Sequence, residues 1–271
     1  MTADEIGELL AKVREESSLV HCITNPISIS RCADAVLAVG AKPIMAEHPD
    51  EVREITKTSR ALLLNLGNIT DVRMKSMEIA ADEAGKSYIP ITLDLVGVAC
   101  SKLRRDFAMS LAGKFHMSIV KGNYSEVKAF YDCSYKGSGV DSESGLDEDE
   151  IAVIAAQLAS QHCCTVLASG KNDIVTDGNI TLYVKNGTPK LAGVTGTGCI
   201  LGALAACFLT ATKAVEAAEA ACAVLGVCGE LSNNSAGSGS FMAELMDKLS
   251  DLPKEDIVKY LNVEVEEFEK L

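Results

Sequence analysis

The clearest signal along the chain is a repeated change of period. Short, nearly unbroken apolar runs (SLVHCIT, ALLLNLG, YIPITLDLVG, FHMSIVKGN and CTVLASG) alternate with longer stretches in which apolar residues return every three or four positions. The first kind fits strands buried on both faces, and the second fits amphipathic helices. A first helix is expected over about 2–16, with Leu9, Leu10 and Val13 on one face and Asp4 and Glu5 at its positive end. SLVHCIT then runs into Asn25 and Pro26, and Ser28 or Ser30 is placed to cap a helix reaching Val39. PIMA reads as a short strand, PDEVREITKTS as a helix opened by Pro49 and Asp50, and ALLLNLG as a strand closed by Gly67. ITDVRMKSMEIAADEAG predicts a helix ending at Gly85, and YSEVKAFY and IAVIAAQLASQHC predict two more. Asp94 and Gly97 fall where YIPITLDLVG gives way to its loop.

Strands of this kind alternating with helices predict a doubly wound α/β fold, a mostly parallel central sheet with helices on both faces. The segment DIVTDGNITLYVKNG alternates with period two around Asp177 and Gly178, which adds an antiparallel hairpin late in the sheet. Residues 134–149 are rich in Gly, Ser and acids and read as a surface loop, not a domain linker, so 1–271 is expected to be a single domain. The acidic run at 147–150 reads as a solvent-facing helix start, and the tail EVEEFEKL as solvated.

Charge narrows the partners. With 38 Asp and Glu against 25 Lys and Arg, the net charge of -13 repels nucleic acid and anionic membrane surfaces. Small phosphorylated ligands stay possible where helix N-termini and a few placed cations hold them locally. The most apolar stretch, 200–228, is broken by Lys213, Glu216 and Glu219 and predicts two buried helices in place of a membrane span. The polar N-terminal stretch lacks the layout of a secretory leader, and a cytoplasmic location is expected. Ten cysteines show no zinc-like spacing and read as reduced core thiols, and four scattered histidines are assigned no chemistry.

Open sheets of this type bind ligands at the carboxyl ends of their strands, and three constellations fall there. VTGTGC, 194–199, places Gly196 and Gly198 before the apolar helix ILGALAACFL, with Cys199 at its start. Converging backbone N–H groups and a helix dipole make an anion cradle, although a plain structural turn has the same pattern. Asn123 and Glu126, three apart after a strand, together with Asp94, supply oxygens suited to hydrated Mg²⁺; an N-cap with a capping-box Glu would look the same. Lys121, two residues before Asn123, and Ser169, after the strand CTVLA, offer a cation and a hydroxyl to phosphates, or are simply solvated.

Taken in order, HCITN, PIMAE, LLLNLG, LDLVGV, KGNYSE and VTGTGC resemble the hydroxyethylthiazole kinase family of the ribokinase-like superfamily across essentially the whole chain. The resemblance implies one α/β domain without a separate lid and a homotrimer with active sites at subunit interfaces. It implies transfer from MgATP to the hydroxyl of the thiazole, a step of thiamine salvage. Asn123, Glu126 and Asp94 would organise Mg²⁺ and the ATP phosphates, and Lys121 and Ser169 would touch the nucleotide. Met45, Gly196, Asn25, Ile27 and Gly67 would line the thiazole pocket, and the backbone of 196–199 would form the anion hole. Cys199 stands where many superfamily members carry Asp, and its expected part is mainly positioning. The family often has Arg at Lys121, Thr at Ser169 and Pro at Leu95, departures that bear on nucleotide affinity. Alternatives are a hydroxymethylpyrimidine kinase, an ATP- or ADP-dependent NAD(P)H-hydrate dehydratase, or a silent ATP-binding regulator. Asp is usual after the glycine turn in the first two, and the intact Asp94 and Glu126 speak against the third.

Overall fold

A computed structural model of the chain describes residues 1–135, 137 and 146–267. The first half runs α1 (Ala3–Glu16), β1 (Leu19–Ile23), α2 (Ile29–Ala38), β2 (Lys42–Ile44), α3 (Val52–Thr58), β3 (Ala61–Asn65), α4 (Asp71–Lys86), β4 (Ile91–Asp94), α5 (Lys102–Lys114), β5 (Ile119–Asn123) and α6 (Tyr124–Tyr131). The second half runs α7 (Glu148–His162), β6 (Thr165–Ser169), β7 (Asp173–Thr176), β8 (Ile180–Val184), α8 (Pro189–Ala192), α9 (Thr197–Phe208), α10 (Ala214–Leu231), α11 (Ser238–Ser250), α12 (Lys254–Tyr260) and β9 (Val263–Glu267).

One sheet carries the order β2-β1-β3-β4-β5-β6-β7-β8-β9, parallel from β2 to β6 and antiparallel beyond. Alternate strand residues feed two cores. Val20, Cys22, Ala61, Leu63, Ile119 and Leu167 face α1, α2, α9, α10 and α11, while Leu62, Leu64, Leu93, Val120 and Val166 face α4 to α7. Both faces being covered explains why the strands read as continuous apolar runs. Helix α9 is apolar all round because it packs on α10 and α2 and also lies across β3 and β4. The two edges are blunted in different ways. Edge strand β2 contains Lys42 and Pro43, and edge strand β9 carries Glu264 and Glu266.

The predicted elements appear with local corrections. Helix α4 continues through Gly85 to Lys86, since the Ser87 N–H still closes the helix on the Glu83 carbonyl. Helix α3 starts at Val52, two residues later than Pro49 and Asp50 suggest. Ser28 is the N-cap residue of α2, but its side chain makes no cap bond. Of the tail, Val263–Glu267 is not free in solvent but pairs with β8. Residues 136 and 138–145, within the expected loop, and 268–271, within the expected solvated tail, lie outside the described residues. The hairpin turns at Asp177 and Gly178 as expected, Asp177 accepting the N–H groups of Asn179 and Ile180. The stretch 200–228 forms α9 and α10, and no described helix is long and apolar enough to cross a membrane.

Candidate active site

Parallel strands finish at the same rim, so register decides which terminal side chains meet. Asn65 of β3 stands opposite Asp94 of β4, and Asp94 stands opposite Lys121 of β5. Asn25, two residues beyond β1, and Cys199, in the first turn of α9, close the row. A buried chain of polar contacts results. Lys121 Nζ donates to Asp94 Oδ1 at 3.1 Å, and Asn65 Nδ2 donates to Asp94 Oδ2 at 2.8 Å. Asn25 Nδ2 donates to Asn65 Oδ1 at 3.1 Å and to Cys199 Sγ at 3.4 Å. All five residues are buried.

Glycines make the close approach possible. A Cβ on Gly67 would stand 2.7 Å from Asn25 Nδ2, and one on Gly202 of α9 would stand 3.0 Å from Asp94 Oδ2. Gly196 is the N-cap of α9 at φ 95, a left-handed conformation that disfavours side chains. Arg31 donates to the Thr195 carbonyl, and the Thr197 hydroxyl donates to Leu191 and Val194 carbonyls, which fixes the turn that starts the helix. The positive end of α9 therefore faces the Asp94 and Lys121 pair, with Gly198 alongside Lys121.

Burial alone would weaken the Lys121 ammonium, but Asp94, Glu126 and Cys199 outweigh it and hold Lys121 above its ordinary value. Burial pushes the Asp94 carboxyl up against the pull of Lys121 and Asn65. The Glu126 carboxyl is pushed up to about 7 by burial, with the Asp94 charge adding and Lys121 opposing. A cation kept charged in a dry pocket is suited to hold phosphate oxygens.

Glu126 does not face the surface, although it lies in the first turn of a helix. Its side chain is 3% exposed, and its two oxygens accept the N–H groups of Gly97 at 2.7 Å and Asn123 at 2.8 Å. Asn123 Oδ1 in turn accepts the Glu126 N–H, so the capping box is formed. Oxygens that accept one hydrogen bond each still hold further lone pairs. Among the described residues no three His, Cys, Asp or Glu side chains converge to cage a metal ion. Two buried carboxylates without a cage fit an ion that keeps most of its water and is held largely by phosphate, the habit of Mg²⁺.

The remaining candidates are spread around this centre. Lys121 lies inside β5 and is buried, not solvated at a strand end. Ser169 ends β6 opposite Asn123, its hydroxyl 3.4 Å from the Gly122 carbonyl. Met45 follows β2, and its loop is tied by the His21 Nε2 donor to the Ala46 carbonyl. Ile27 is 61% exposed although its N–H bonds Asn25 Oδ1, so its side chain stands outside the cluster. Sequence reasoning missed Asn65 and Arg31. It also missed Arg73, which donates to both Glu47 and the Asn68 carbonyl and so joins the Met45 and Gly67 loops. A lone polar residue closing the apolar run ALLLN was the available sign of Asn65.

A doubly wound sheet whose carboxyl rim gathers Asp94, Lys121 and a glycine turn at a helix N-terminus defines a ribokinase-like protein. The model of the hydroxyethylthiazole kinase family matches residues 10–255, and the chain belongs to that family. It is 41% identical over 263 residues to "Hydroxyethylthiazole kinase 2" of Clostridium botulinum (strain Langeland), covering 94% of this chain and 98% of that one. It is 37% identical over 253 residues to "Hydroxyethylthiazole kinase" of Finegoldia magna, covering 93% and 94%. The structure of a hydroxyethylthiazole kinase protein from Pyrococcus horikoshii OT3 superposes with a TM-score of 0.90 at 32% identity, covering 97% of this chain and 99% of that one.

Proposed function

We propose that the protein, acting as one domain, transfers the γ-phosphoryl group of ATP to the primary hydroxyl of 4-methyl-5-(2-hydroxyethyl)thiazole, serving thiamine salvage. The observation that carries this reading is the buried row from Cys199 through Asn25 and Asn65 to Asp94 and Lys121, set at the start of α9 in a member of this family. Lys121 and the N-terminus of α9 oppose the negative charge that spreads over the phosphoryl oxygens during transfer. Ser169 and Asn123, side by side at the rim, border the nucleotide. Bound Mg²⁺, held by Glu126 and Asp94 largely through water, would neutralise phosphate charge.

Met45, Gly67, Asn25 and the 196–199 backbone hold the thiazole, a ring recognised by aliphatic and backbone contacts in a chain with 4% aromatic residues and no Trp. Cys199 positions the hydroxyl beside the helix start. A loose transition state needs little early proton removal, so Cys199→Ala is expected to slow the reaction about tenfold without abolishing it.

We read the assembly as a homotrimer with shared active sites, a reading supported by Ile27, a pocket candidate left facing outward in a single subunit. Ten unpaired thiols, seven of them buried, support a reducing cytoplasmic location. The test is ADP release by the purified protein with MgATP, with and without the thiazole, followed by the mass of the thiazole product. A thiazole-dependent rate with one added phosphoryl group is expected. ADP release indifferent to the thiazole would refute the substrate.

A further inference from the structure

Two buried amides lie between the Cys199 thiol and the Asp94–Lys121 pair, and neither is free to turn. An amide presents an acceptor oxygen on one side and N–H donors on the other, so its neighbours decide which way it faces. The backbone N–H groups of Ile27 and Ser28 can only donate, and both reach Asn25 Oδ1 at 3.1 Å. Asn25 Nδ2 must therefore face the other way, with one hydrogen for Asn65 Oδ1 and one for Cys199 Sγ. Asn65 is fixed by the same logic. The Gly67 N–H donates to its Oδ1 at 2.9 Å alongside Asn25, and its Nδ2 is claimed by the Asp94 carboxylate at 2.8 Å. The sulfur of Cys199 can only accept from Asn25, and its own hydrogen finds no acceptor in that amide.

We propose that Asn65 is a positioning residue for phosphoryl transfer. It locks Asn25 with its donors toward Cys199, which presents the sulfur in one orientation, and it ties that sulfur in register with the Asp94–Lys121 pair. The proposal rests on the kinase reading above. Asn65 touches neither the sulfur nor the surface, being fully buried, and it acts through Asn25 and Asp94. A packing role alone would be met by an aliphatic residue like the four that precede it in β3. The three hydrogen bonds on one side chain distinguish it from that role.

The experiment is a double-mutant cycle on the full chain, read as thiazole-dependent ADP release. Asn65→Ala should lower kcat about tenfold in the native background but less than about twofold when Cys199→Ala is already present, with KM for ATP moved less than about twofold. Asn65→Leu, which keeps the volume, replaces Asn65→Ala if that variant does not fold. A second readout needs no substrate. Alkylation of Cys199 by iodoacetamide, located by peptide mass spectrometry, should change at least about threefold in rate in the Asn65 variant while the exposed Cys100, Cys133 and Cys163 react as before. Equal losses of kcat in both backgrounds, or an unchanged alkylation rate at Cys199, overturn the proposal. If the native protein shows no thiazole-dependent rate, the kinase reading fails and this proposal falls with it; if Cys199→Ala has no measurable rate the cycle cannot be closed, and the alkylation rate at Cys199 decides the positioning role.

Discussion

The two ends of the sheet use polar residues in opposite ways. At the parallel end, β1, β3, β4 and β5 all bring their carboxyl ends to one rim, and Asn25, Asn65, Asp94 and Lys121 are pressed into a single buried chain. At the antiparallel end, β7, β8 and β9 reverse direction at each step. Their charged residues Asp177, Lys185 and Glu264 serve the turn and the edge, Asp177 closing the hairpin and Lys185 pairing with Glu264. Parallel topology concentrates chemistry because it cannot spread strand ends between two rims. An antiparallel ribbon of similar composition has no such focus.

Substitutions break this contrast most at the rim. Lys121→Met removes the partner of the buried Asp94 carboxylate; a loss of roughly 3–5 kcal/mol in urea unfolding and about a thousandfold in kcat/KM is expected. Native-like stability in that variant would show that Asp94 is neutral without Lys121. Gly202→Ala sharpens the point, because the added methyl meets Asp94 Oδ2 at 3.0 Å. Alanine gains ~1 kcal/mol of helix propensity, so stability should change little while kcat falls about tenfold. An unchanged kcat would mean that Asp94 tolerates displacement.

Glu126→Gln turns the comparison on pH. The folded carboxyl, pushed up to about 7, lies above its unfolded value of about 4.3, so the folded state binds more protons between them. That contribution to stability is complete below the unfolded value and is lost as pH rises through about 7. The native protein should therefore lose thermal stability relative to Glu126→Gln between pH 5 and 8, by roughly 5 °C. A gap that widens toward acid in the native protein's disfavour would reverse the sign and refute the burial account. The smallest effect belongs to the other end: Asp177→Ala should cost about 1 kcal/mol and leave kcat untouched. A change in kcat there would show that the two ends are coupled.

The fold was legible because burial on both faces writes itself into the sequence as unbroken apolar runs, and Asp94 and Gly67 stood out at the ends of such runs. Asn65 ends one too, but inside LLLNLG it was passed over for the glycine two residues on. The burial of Glu126 was not legible, because a polar residue in the first turn of a helix carries no mark of which way it turns. Here it folds back to two backbone N–H groups, one of them on the β4 loop, a partner distant in sequence. Strand β9 shows the alternation of VEVEE, yet its acids pointed to solvent as strongly as to an edge, and only pairing with β8 decides between them.

Edge strands β2 and β9 set the terms on which this architecture can be elaborated. Pro43 lacks the N–H that a tenth strand would need, and the carboxylates of β9 would repel a like-charged newcomer. Growth by lengthening the sheet is therefore closed in both directions. New specificity has to be written into the connections at the carboxyl rim, where an insertion can reshape what is bound without disturbing a single strand pairing.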